Sequence, residues 1–270
     1  MKIALIYFSP TGNTAKIASV IKEELLELGA IIKQFDITSF SEREKQINPK
    51  EFDSYIFGSP IYAWRAPKII REWLQTLNGG GKRCSAFFTY GGVSVGVAHQ
   101  NIKEILIDRN FSLVSAAEFP SKHTYNLAGW YLMENRPDES DYAIAKAYAQ
   151  ETYKRFEENS PHPIKLEGAK ISEKTLTRLD KATHLTIAPP SRKGAECSMC
   201  LQCENECPTN AMNAETGEAD NEKCIRCLRC VSNCPDEALK INDLSKFYEL
   251  IRDRAHLTPE VLQNRISRFF

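Results

Sequence analysis

The sequence lacks any apolar stretch long enough to cross a membrane or to form a secretion signal. No apolar run approaches the roughly 18 residues that a membrane span needs, and the first run, residues 3–8, is shorter than the hydrophobic region of a signal peptide. The formal net charge is zero, so the sequence lacks the basic excess typical of proteins that bind nucleic acid or anionic membranes. We therefore expect a cytoplasmic protein with neither a membrane nor a nucleic-acid partner.

Charge is nevertheless divided unevenly along the chain. Residues 194–242 carry nine acidic and four basic side chains, so this segment has a formal net charge of −5 and the remainder +5. An acidic rim of this kind can steer a basic redox partner, although a merely solvated surface explains it about as well.

Eight of the nine cysteines fall within residues 197–235, in two matching runs. Each run reads C-x2-C-x2-C-x3-C-P, the first from Cys197 and the second from Cys224. Two-residue gaps let a short loop place three thiolates around one iron–sulfur cubane, while a fourth must approach from the opposite side. The spacing therefore predicts two [4Fe-4S] clusters, and eight ligand thiols also favour a reducing cytoplasm.

Structural zinc and disulfides are the alternatives for these cysteines. Zinc takes four ligands in paired C-x2-C spacing, which leaves the third Cys of each run and both Cys-Pro steps unexplained. Disulfides suit a small secreted domain, and nothing in the sequence marks secretion. The ninth cysteine, Cys84, begins a predicted strand, and we expect it to be a small buried hydrophobic residue, not a ligand.

The cysteine segment closely resembles the bacterial two-cluster ferredoxins. In the ferredoxins that carry this run, the fourth Cys ligates the other cluster. The resemblance therefore implies two ligand sets: Cys197, Cys200, Cys203 and Cys234 on one cluster, and Cys224, Cys227, Cys230 and Cys207 on the other.

The first part of the chain alternates predicted strands with predicted helices. Strands are predicted at residues 2–8, 31–35, 52–57, 84–90 and 111–119. Helices are predicted up to Gly29, from Pro67, at 95–107 and at 138–158. This alternation predicts an α/β fold with a doubly wound, five-stranded parallel sheet, followed by a small α+β domain at the cysteines. The ligand site of such a sheet lies beyond the carboxyl ends of its strands.

Three loops fall at those carboxyl ends, and the first is residues 9–14, Ser-Pro-Thr-Gly-Asn-Thr. Hydroxyls and a glycine at a helix N-terminus favour an anion, because the amides and the helix dipole converge there. The loop lacks the Lys of a nucleotide P-loop and the three glycines of a dinucleotide fingerprint, so a phosphomonoester fits better than a triphosphate. Ordinary helix capping by Thr11 or Asn13 is the alternative.

The second and third loops combine small residues with aromatic ones. Residues 58–64 read Gly-Ser-Pro-Ile-Tyr-Ala-Trp, and residues 89–94 read Thr-Tyr-Gly-Gly-Val-Ser. Small residues allow a ligand to approach the backbone. Tyr62 and Trp64 could present a flat face to a ring, although core or surface packing explains each aromatic taken alone.

Together the three loops resemble those of a flavodoxin, over residues 1–159. A T/S-x-T-G-x-T phosphate loop follows strand one in that family, and Gly-Ser-Pro after strand three opens its second flavin loop. The resemblance implies FMN, with its phosphate held by Ser9, Thr11, Gly12, Asn13 and Thr14. It also implies a ring site along Ser59, Pro60, Ile61, Tyr62 and Trp64, closed at the pyrimidine edge by Thr89, Tyr90, Gly91 and Gly92. The third loop departs from free flavodoxins because it shows no acidic, Tyr-bearing segment.

Longer connections and two further helices complete the chain. Residues 120–137 form an unusually long loop, which often indicates function; its His123, Tyr125 and Asn126 could cover the flavin or approach a cluster, and a surface histidine is the alternative for His123. A packing helix is predicted at 171–185, between the proline pairs 161/163 and 189/190. Beyond the cysteines, one helix is predicted around residues 244–251. Another is predicted from Thr258-Pro259, extending to Phe269.

The predicted division of the chain has four parts. They are a flavodoxin-like FMN domain at 1–159, a linker with a helix at 160–193, a two-cluster ferredoxin domain at 194–243 and a C-terminal helical segment at 244–270.

As a whole, the chain resembles the flavodoxin–ferredoxin fusion proteins of anaerobic bacteria and archaea. The resemblance implies an electron carrier that passes electrons between two [4Fe-4S] clusters and FMN, and on to a redox partner protein. The enzyme alternative is a flavin reductase acting on a quinone, a nitro compound or dioxygen, which no acid–base pair near the expected ring supports. A third possibility is a regulatory protein whose clusters sense oxidants.

Overall fold

The computed structural model describes residues 1–158, 164, 166 and 171–270. Its larger part is a parallel sheet of five strands: β1 (Lys2–Tyr7), β2 (Ile31–Asp36), β3 (Ser54–Pro60), β4 (Arg83–Tyr90) and β5 (Ser112–Pro120). The strands lie in the order β2-β1-β3-β4-β5. This order is the flavodoxin-like doubly wound arrangement, in which the ligand crevice opens at the switch point between β1 and β3. The predicted fold class is confirmed.

Helices cover both faces of this sheet. They are α1 (Asn13–Glu27), the short α2 (Phe40–Arg43), α3 (Lys68–Gln75), α4 (Ala98–Asp108) and α5 (Glu139–Glu157). In β1, Ile3 and Leu5 pack in one core with α1 and α5, whereas Ala4 and Ile6 pack in the other core with α3 and α4. The strand is apolar at nearly every position because both of its faces are buried.

Local signals in the sequence fix several ends of these helices. Helix α1 ends just before Gly29, which adopts φ +84°, the left-handed conformation that commonly follows a helix. Helix α5 starts with a capping box, in which the side chains of Asp138 and Asp141 each accept from the other's backbone amide. Each predicted strand and helix of this part is present within a few residues of its prediction, whereas the short α2 was not predicted.

A sixth strand joins the sheet where the sequence pattern predicts helix. Strand β8 (Arg268–Phe269) pairs antiparallel with β5, and the predicted last helix is the short α10 (Pro259–Gln263). The extension of that helix to Phe269 is therefore wrong. The amide of Phe270 donates to Ala116 O at 2.8 Å, so the end of the chain satisfies an edge of β5 that would otherwise be open.

The cysteine segment forms a small α+β unit after α6 (Glu173–Thr186). It contains α7 (Gln202–Asn205), the antiparallel pair β6 (Met212–Asn213) and β7 (Glu218–Ala219), and α8 (Arg229–Ser232). Helix α9 (Ser245–Arg254) follows and packs with α10 around Trp130 and Leu244. The predicted boundary at residues 159 and 160, and the break at Pro161 and Pro163, lie outside the described residues.

No helix within the described ranges is both long enough and apolar enough to cross a membrane.

Candidate functional site

The first predicted loop turns sharply between β1 and α1. Gly12 adopts φ +89°, which glycine reaches without steric cost, and α1 begins at the next residue. Ser9 Oγ accepts from the amide of Ala15 at 2.9 Å, which fixes the start of the loop to the first turn of the helix. Among the residues that the structure describes, the amides of residues 11–14 have no acceptor. Four N–H groups at a helix N-terminus are therefore available to an anion, as a phosphate requires.

Side chains tie this loop to neighbouring strand ends. Thr14 Oγ1 lies 2.8 Å from Thr89 Oγ1, and Asn13 Nδ2 donates to Lys122 O at 2.9 Å. Two of the residues that are predicted to bind phosphate, Asn13 and Thr14, thus also connect the first loop to the long loop after β5 and to the third loop. Thr11 is half-buried beside them.

The second predicted loop contains two non-glycine residues in the left-handed region. Ala63 has φ +46° and Trp64 has φ +70°, inside a tight turn where the amide of Tyr62 donates to Arg65 O at 2.8 Å. A Cβ on Gly96 would lie 2.2 Å from Trp64 Cβ, so only a glycine fits there. Backbone strain of this kind concentrates at ligand sites.

Two distant carboxylates hold the second loop in place. The buried Arg65 donates to Glu173 at 2.8 Å and to Asp180 at 2.9 Å, both on α6.

The earlier residues of the second loop continue β3: Ser59 is buried, Pro60 ends the strand, and the amide of Ile61 donates to Thr89 O at 2.9 Å. The predicted ring-side residues therefore come together beside the third loop.

The third predicted loop packs closely under the long loop. A Cβ on Gly91 would lie 2.0 Å from the His123 ring, and Gly92 adopts φ +82°. Arg265 Nε donates to Gly92 O at 3.0 Å. Burial and the nearby Glu118 raise the pKa of Tyr90 to about 12, so its phenol stays neutral.

The long loop places its own aromatic residues at the same end of the sheet. His123 stacks on Trp130 with ring centroids 4.4 Å apart, and His123 Nδ1 accepts from the amide of Tyr125 at 3.1 Å. Burial lowers the pKa of His123 to about 3, so the imidazole is neutral near pH 7. Asn126 makes two hydrogen bonds with Leu132, which close the loop on itself.

The cysteines divide into two groups in the structure. Cys197, Cys200, Cys203 and Cys234 line one cavity, which Leu201, Met212 and Leu239 help to close. Cys207, Cys224 and Cys230 belong to a small apolar cluster beside that cavity, together with Cys203 and Cys234. Burial first, and then neighbouring thiols, raise the pKa values of Cys227 and Cys230. The assignment of Cys197, Cys200, Cys203 and Cys234 to one cluster and of Cys207, Cys224, Cys227 and Cys230 to the other, which the ferredoxin resemblance implies, stays a prediction.

The donor chemistry of both groups suits iron–sulfur clusters. Burial raises the pKa of Cys227 to about 12, and burial also raises the pKa of Cys203, Cys224 and Cys230. Such thiols become thiolates when a metal displaces the proton. Nowhere in the described part of the chain do three or more His, Cys, Asp or Glu side chains form a group suited to a single metal ion. Cys84 is fully buried in the sheet, where burial raises its pKa, as expected for a residue that is not a ligand.

The second cysteine group lies next to the predicted flavin loops. Ile225 of the second cysteine run packs against the same core as Ile61 of the second loop, and Arg229 donates to the carbonyls of Ser9 and Pro10 in the first loop. Desolvation, followed by the charge of Cys227, raises the pKa of Tyr62. The Tyr125 phenol has the same surroundings. Both phenols are therefore neutral near pH 7.

The sequence patterns did not predict that two arginines join distant segments of the chain. Arg229, in the second cysteine run, donates to the carbonyls of Ser9 and Pro10 in the first loop. Arg43, at the end of α2, donates to Thr38 O at 2.8 Å and also to the carbonyl of Pro208. Local sequence patterns do not predict such contacts. The one difference that the sequence does show is that Arg229 occupies the position in the second run that Gln202 occupies in the first.

Comparison with known proteins finds two family models within the chain. A family described as "Flavodoxin domain" matches residues 4–123, and a family described as "4Fe-4S dicluster domain" matches residues 189–235.

The curated relatives match between about a third and two fifths of this chain. A flavodoxin of Clostridium saccharobutylicum is 32% identical over 101 residues, which cover 36% of this chain and 60% of that protein. A protein named "Putative diflavin flavoprotein A 5" of Nostoc sp. is 31% identical over 94 residues, covering 34% of this chain and 16% of that protein. The chain thus spans between 16% and 60% of the lengths of these relatives.

Two solved flavodoxins are similar to somewhat more than half of this chain. A flavodoxin from the domain Archaea has 19% identity and a TM-score of 0.44, with 58% of this chain and 100% of that chain covered. Oxidised Flavodoxin 1 from Bacillus cereus has 20% identity and a TM-score of 0.42, with 57% and 98% covered.

Proposed function

We propose that this chain, which contains a flavodoxin domain and a 4Fe-4S dicluster domain, is an electron carrier linking two [4Fe-4S] clusters, an FMN and a redox partner protein. The observation that carries the proposal is the contact between the two halves: Arg229 of the second cysteine run donates to Ser9 O and Pro10 O in the first flavin loop, and Ile225 packs against the same core as Ile61 of the second flavin loop. Relatives named as a flavodoxin and as diflavin flavoproteins support an electron-transfer flavoprotein.

The residues that would hold the cofactors follow from the site. The free amides of residues 11–14, with Ser9, Thr11, Asn13 and Thr14, would bind the FMN phosphate. Two loop segments, residues 59–64 with their strained Ala63 and Trp64 and residues 89–92, would hold the ring. The proposed cluster ligands are Cys197, Cys200, Cys203 and Cys234 in one group and Cys207, Cys224, Cys227 and Cys230 in the other.

When bound, FMN exchanges one or two electrons and each cluster exchanges one, so the assembly could connect one-electron with two-electron chemistry. The side chains of this protein bind, orient and exclude water. Tyr62 and Tyr125 are held neutral by burial, and Leu228 and Leu239 are nearly inaccessible to solvent. A dry, apolar surrounding of this kind limits solvent access and influences the potential of a buried redox group. We also propose the reducing cytoplasm as the compartment, because it preserves free thiols.

Cofactor content and internal electron transfer test this proposal. Anaerobically purified protein should contain eight irons, eight sulfides and one FMN per chain, measured chemically together with the absorption spectrum. Mixing with a reductant that acts on the clusters should bleach them first and then the flavin band, in rapid-mixing spectroscopy. The matched control is the same protein after iron chelation, in which the flavin band should bleach much more slowly.

Two outcomes would contradict the electron-carrier proposal. One is a flavin that stays oxidised beside reduced clusters although the measured potentials favour transfer. The other is rapid turnover with a quinone or dioxygen in the absence of any protein partner, which would favour the reductase alternative.

A further inference from the structure

The two cysteine runs have the same backbone form, so they can be compared position by position. Positive φ angles occur at equivalent places in the two runs, and a four-residue helix begins at the same place in each. The equivalent pairs are Met199 and Arg226 (φ 56° and 57°), Leu201 and Leu228 (61° and 57°), and Gln202 and Arg229, which begin α7 and α8.

The surroundings of the two runs differ although their backbones agree. Leu201 is 44% exposed and Leu228 is 1% exposed. Cys200 is likewise exposed, whereas Cys227 is buried. One run therefore faces solvent, and protein covers the other.

Loops of the flavodoxin domain contribute to that cover. Arg229 Nη1 donates to Ser9 O at 3.3 Å and to Pro10 O at 3.2 Å, so the second run lies directly on the proposed phosphate loop. On its other side, Arg229 Nη2 pairs with Glu206 at 2.9 Å. The Nε of Arg229 is buried and has no hydrogen-bond partner among the described residues.

The same position in the exposed run makes no such contact. Gln202 donates to Glu206 Oε1 at 3.1 Å, inside the cysteine unit. Within the described residues, the hydrogen bonds of residues 197–205 all stay between positions 192 and 236. A Gln in one run and an Arg in the other thus distinguish the exposed loop from the covered one.

A second contact seats the covered run on the flavodoxin domain. Ile225 packs against the core on the α3 and α4 side of the sheet, where Ile61 of the second flavin loop also packs. Close by, the amide of Phe40 donates to Cys207 O at 3.4 Å. Contacts with the flavodoxin domain are thus made by Cys207 itself, by Ile225 next to Cys224 and by Arg229 next to Cys230.

We propose that the group Cys207, Cys224, Cys227 and Cys230 is the flavin-facing site, and that Arg229 is the positioning residue that seats it on the phosphate loop. The group around Cys200 then faces the external redox partner. This inference rests on the proposed function, because it assigns an order to the same two cysteine groups.

Because Arg229 contacts the phosphate loop, binding of a phosphate there and the position of the second run depend on each other. Its positive charge lies on the carbonyls of Ser9 and Pro10, immediately before the amides proposed to bind phosphate, so it favours a dianion there. Coupling between two sites is reciprocal. FMN binding should therefore hold the second run in place, and should leave residues 197–203 of the first run unaffected.

Thiol accessibility tests this order without relying on activity. We suggest treating the iron-loaded protein with an iron chelator and iodoacetamide, with and without saturating FMN, and following alkylation of each cysteine by mass spectrometry. FMN should slow alkylation of Cys224 and Cys227 severalfold and should leave Cys200 unchanged. Equal protection of Cys200, or protection of Cys200 alone, would overturn the assignment.

The variant Arg229→Gln installs the residue found at the equivalent position of the exposed run. We expect the FMN dissociation constant to rise about fivefold, as expected for one partly screened charge near a dianion, and the protection of Cys224 and Cys227 by FMN to be lost. Arg229→Lys should restore part of the affinity because it keeps the charge. The control Arg252→Gln removes an exposed arginine on α9 and should change neither quantity.

Two outcomes for Arg229→Gln separate the inference from the proposed function. A variant that binds FMN and protects Cys227 as the wild type does would overturn the role of Arg229. Should the variant fail to fold, the wild-type protection pattern still decides which group faces the flavin. A wild-type protein that contains no iron or binds no FMN would instead refute the proposed function itself.

Discussion

Two arginines in the second cysteine run have different roles although only two residues separate them. Arg226 is 1% exposed, and its guanidinium donates to Ile187 O at 2.8 Å and to Cys224 O at 2.6 Å. These carbonyls satisfy a buried charge and hold the loop in shape. Arg229 instead donates outward, to the first loop of the flavodoxin domain. The cysteine spacing is identical in both runs, so the residues between the cysteines decide what each loop contacts.

At the scale of one residue, the conformation of Gly12 is a test of the phosphate loop. Gly12→Ala puts a side chain at φ +89°, where no atom lies within 4 Å of the added Cβ, so the effect is backbone strain alone. We expect the free energy of unfolding to fall by about 1 kcal/mol and FMN affinity to fall about tenfold, because the amides of residues 11–14 move out of place. Fluorescence titration and urea unfolding measure the two effects.

Gly80→Ala is the matched control for this prediction. Gly80 has φ +58° and, like Gly12, has nothing within 4 Å of an added Cβ, and it lies in the turn before β4. It should lose similar stability and keep normal FMN affinity. Equal losses of FMN affinity in both variants would show that residues 9–14 do not form the phosphate site.

At the scale of an element, β8 depends on one buried carboxylate of β5. Glu118 Oε1 accepts from Arg268 Nε at 2.7 Å, and Glu118 Oε2 lies 2.8 Å from His99 Nε2. Burial would raise the pKa of Glu118, but hydrogen bonding and the charges of His99 and Arg268 outweigh burial and lower it. Arg268 of the C-terminal strand thus gives the buried Glu118 carboxylate a second partner, in addition to His99.

Removing the guanidinium of Arg268 should loosen this strand. We expect Arg268→Ala to lower the free energy of unfolding by about 1–2 kcal/mol, because the buried Glu118 loses a charge-assisted hydrogen bond. Lys33→Ala is the control, since it breaks an exposed 3.4 Å ion pair with Glu51 on the opposite edge of the sheet. That change should stay within about 0.5 kcal/mol. Equal effects of the two variants in urea unfolding would contradict the role assigned to Glu118.

Elements were predicted well where their pattern is local. The strands β1 and β4 are long apolar runs, and Pro67 directly precedes α3, so sequence alone predicts them. The pattern failed at residues 264–269, where apolar residues at helical spacing predicted a continuing helix. The partners that make Arg268–Phe269 a strand are Ala117 and Glu118, about 150 residues earlier in the chain.

At the scale of the molecule, the sheet and the cysteine unit have separate cores. Two large clusters cover the faces of the sheet, whereas a small cluster around Met212 and Leu239 lies among the thiols. A third cluster, centred on Trp130 and Leu244, joins the long loop to α9 and α10. The cysteine unit is too small to bury a large core, so its stability should depend on its metal.

Removal of iron should therefore unfold one part of the molecule and spare the other. After chelation we expect faster hydrogen exchange across residues 197–240 and little change in β1, β3 and β4, measured by mass spectrometry. FMN should still bind, about fivefold more weakly, because Arg229 loses its position on the phosphate loop. Loss of protection in the sheet, or an unchanged FMN affinity, would contradict this division.

The sequence by itself determined the α/β alternation, the parallel sheet and the two matching cysteine runs, and it predicted the loop residues of the candidate site. These features depend on apolar periodicity, on glycine positions and on ligand spacing, which are local properties of the chain. Only the tertiary structure decided which cysteine run lies on the flavodoxin domain, how Arg65 and Arg229 connect distant loops, and why the last residues form a strand. Those features depend on contacts between charges and backbone groups that are a hundred residues or more apart in sequence. The residues next to each of these groups in the chain do not indicate which distant group it will contact.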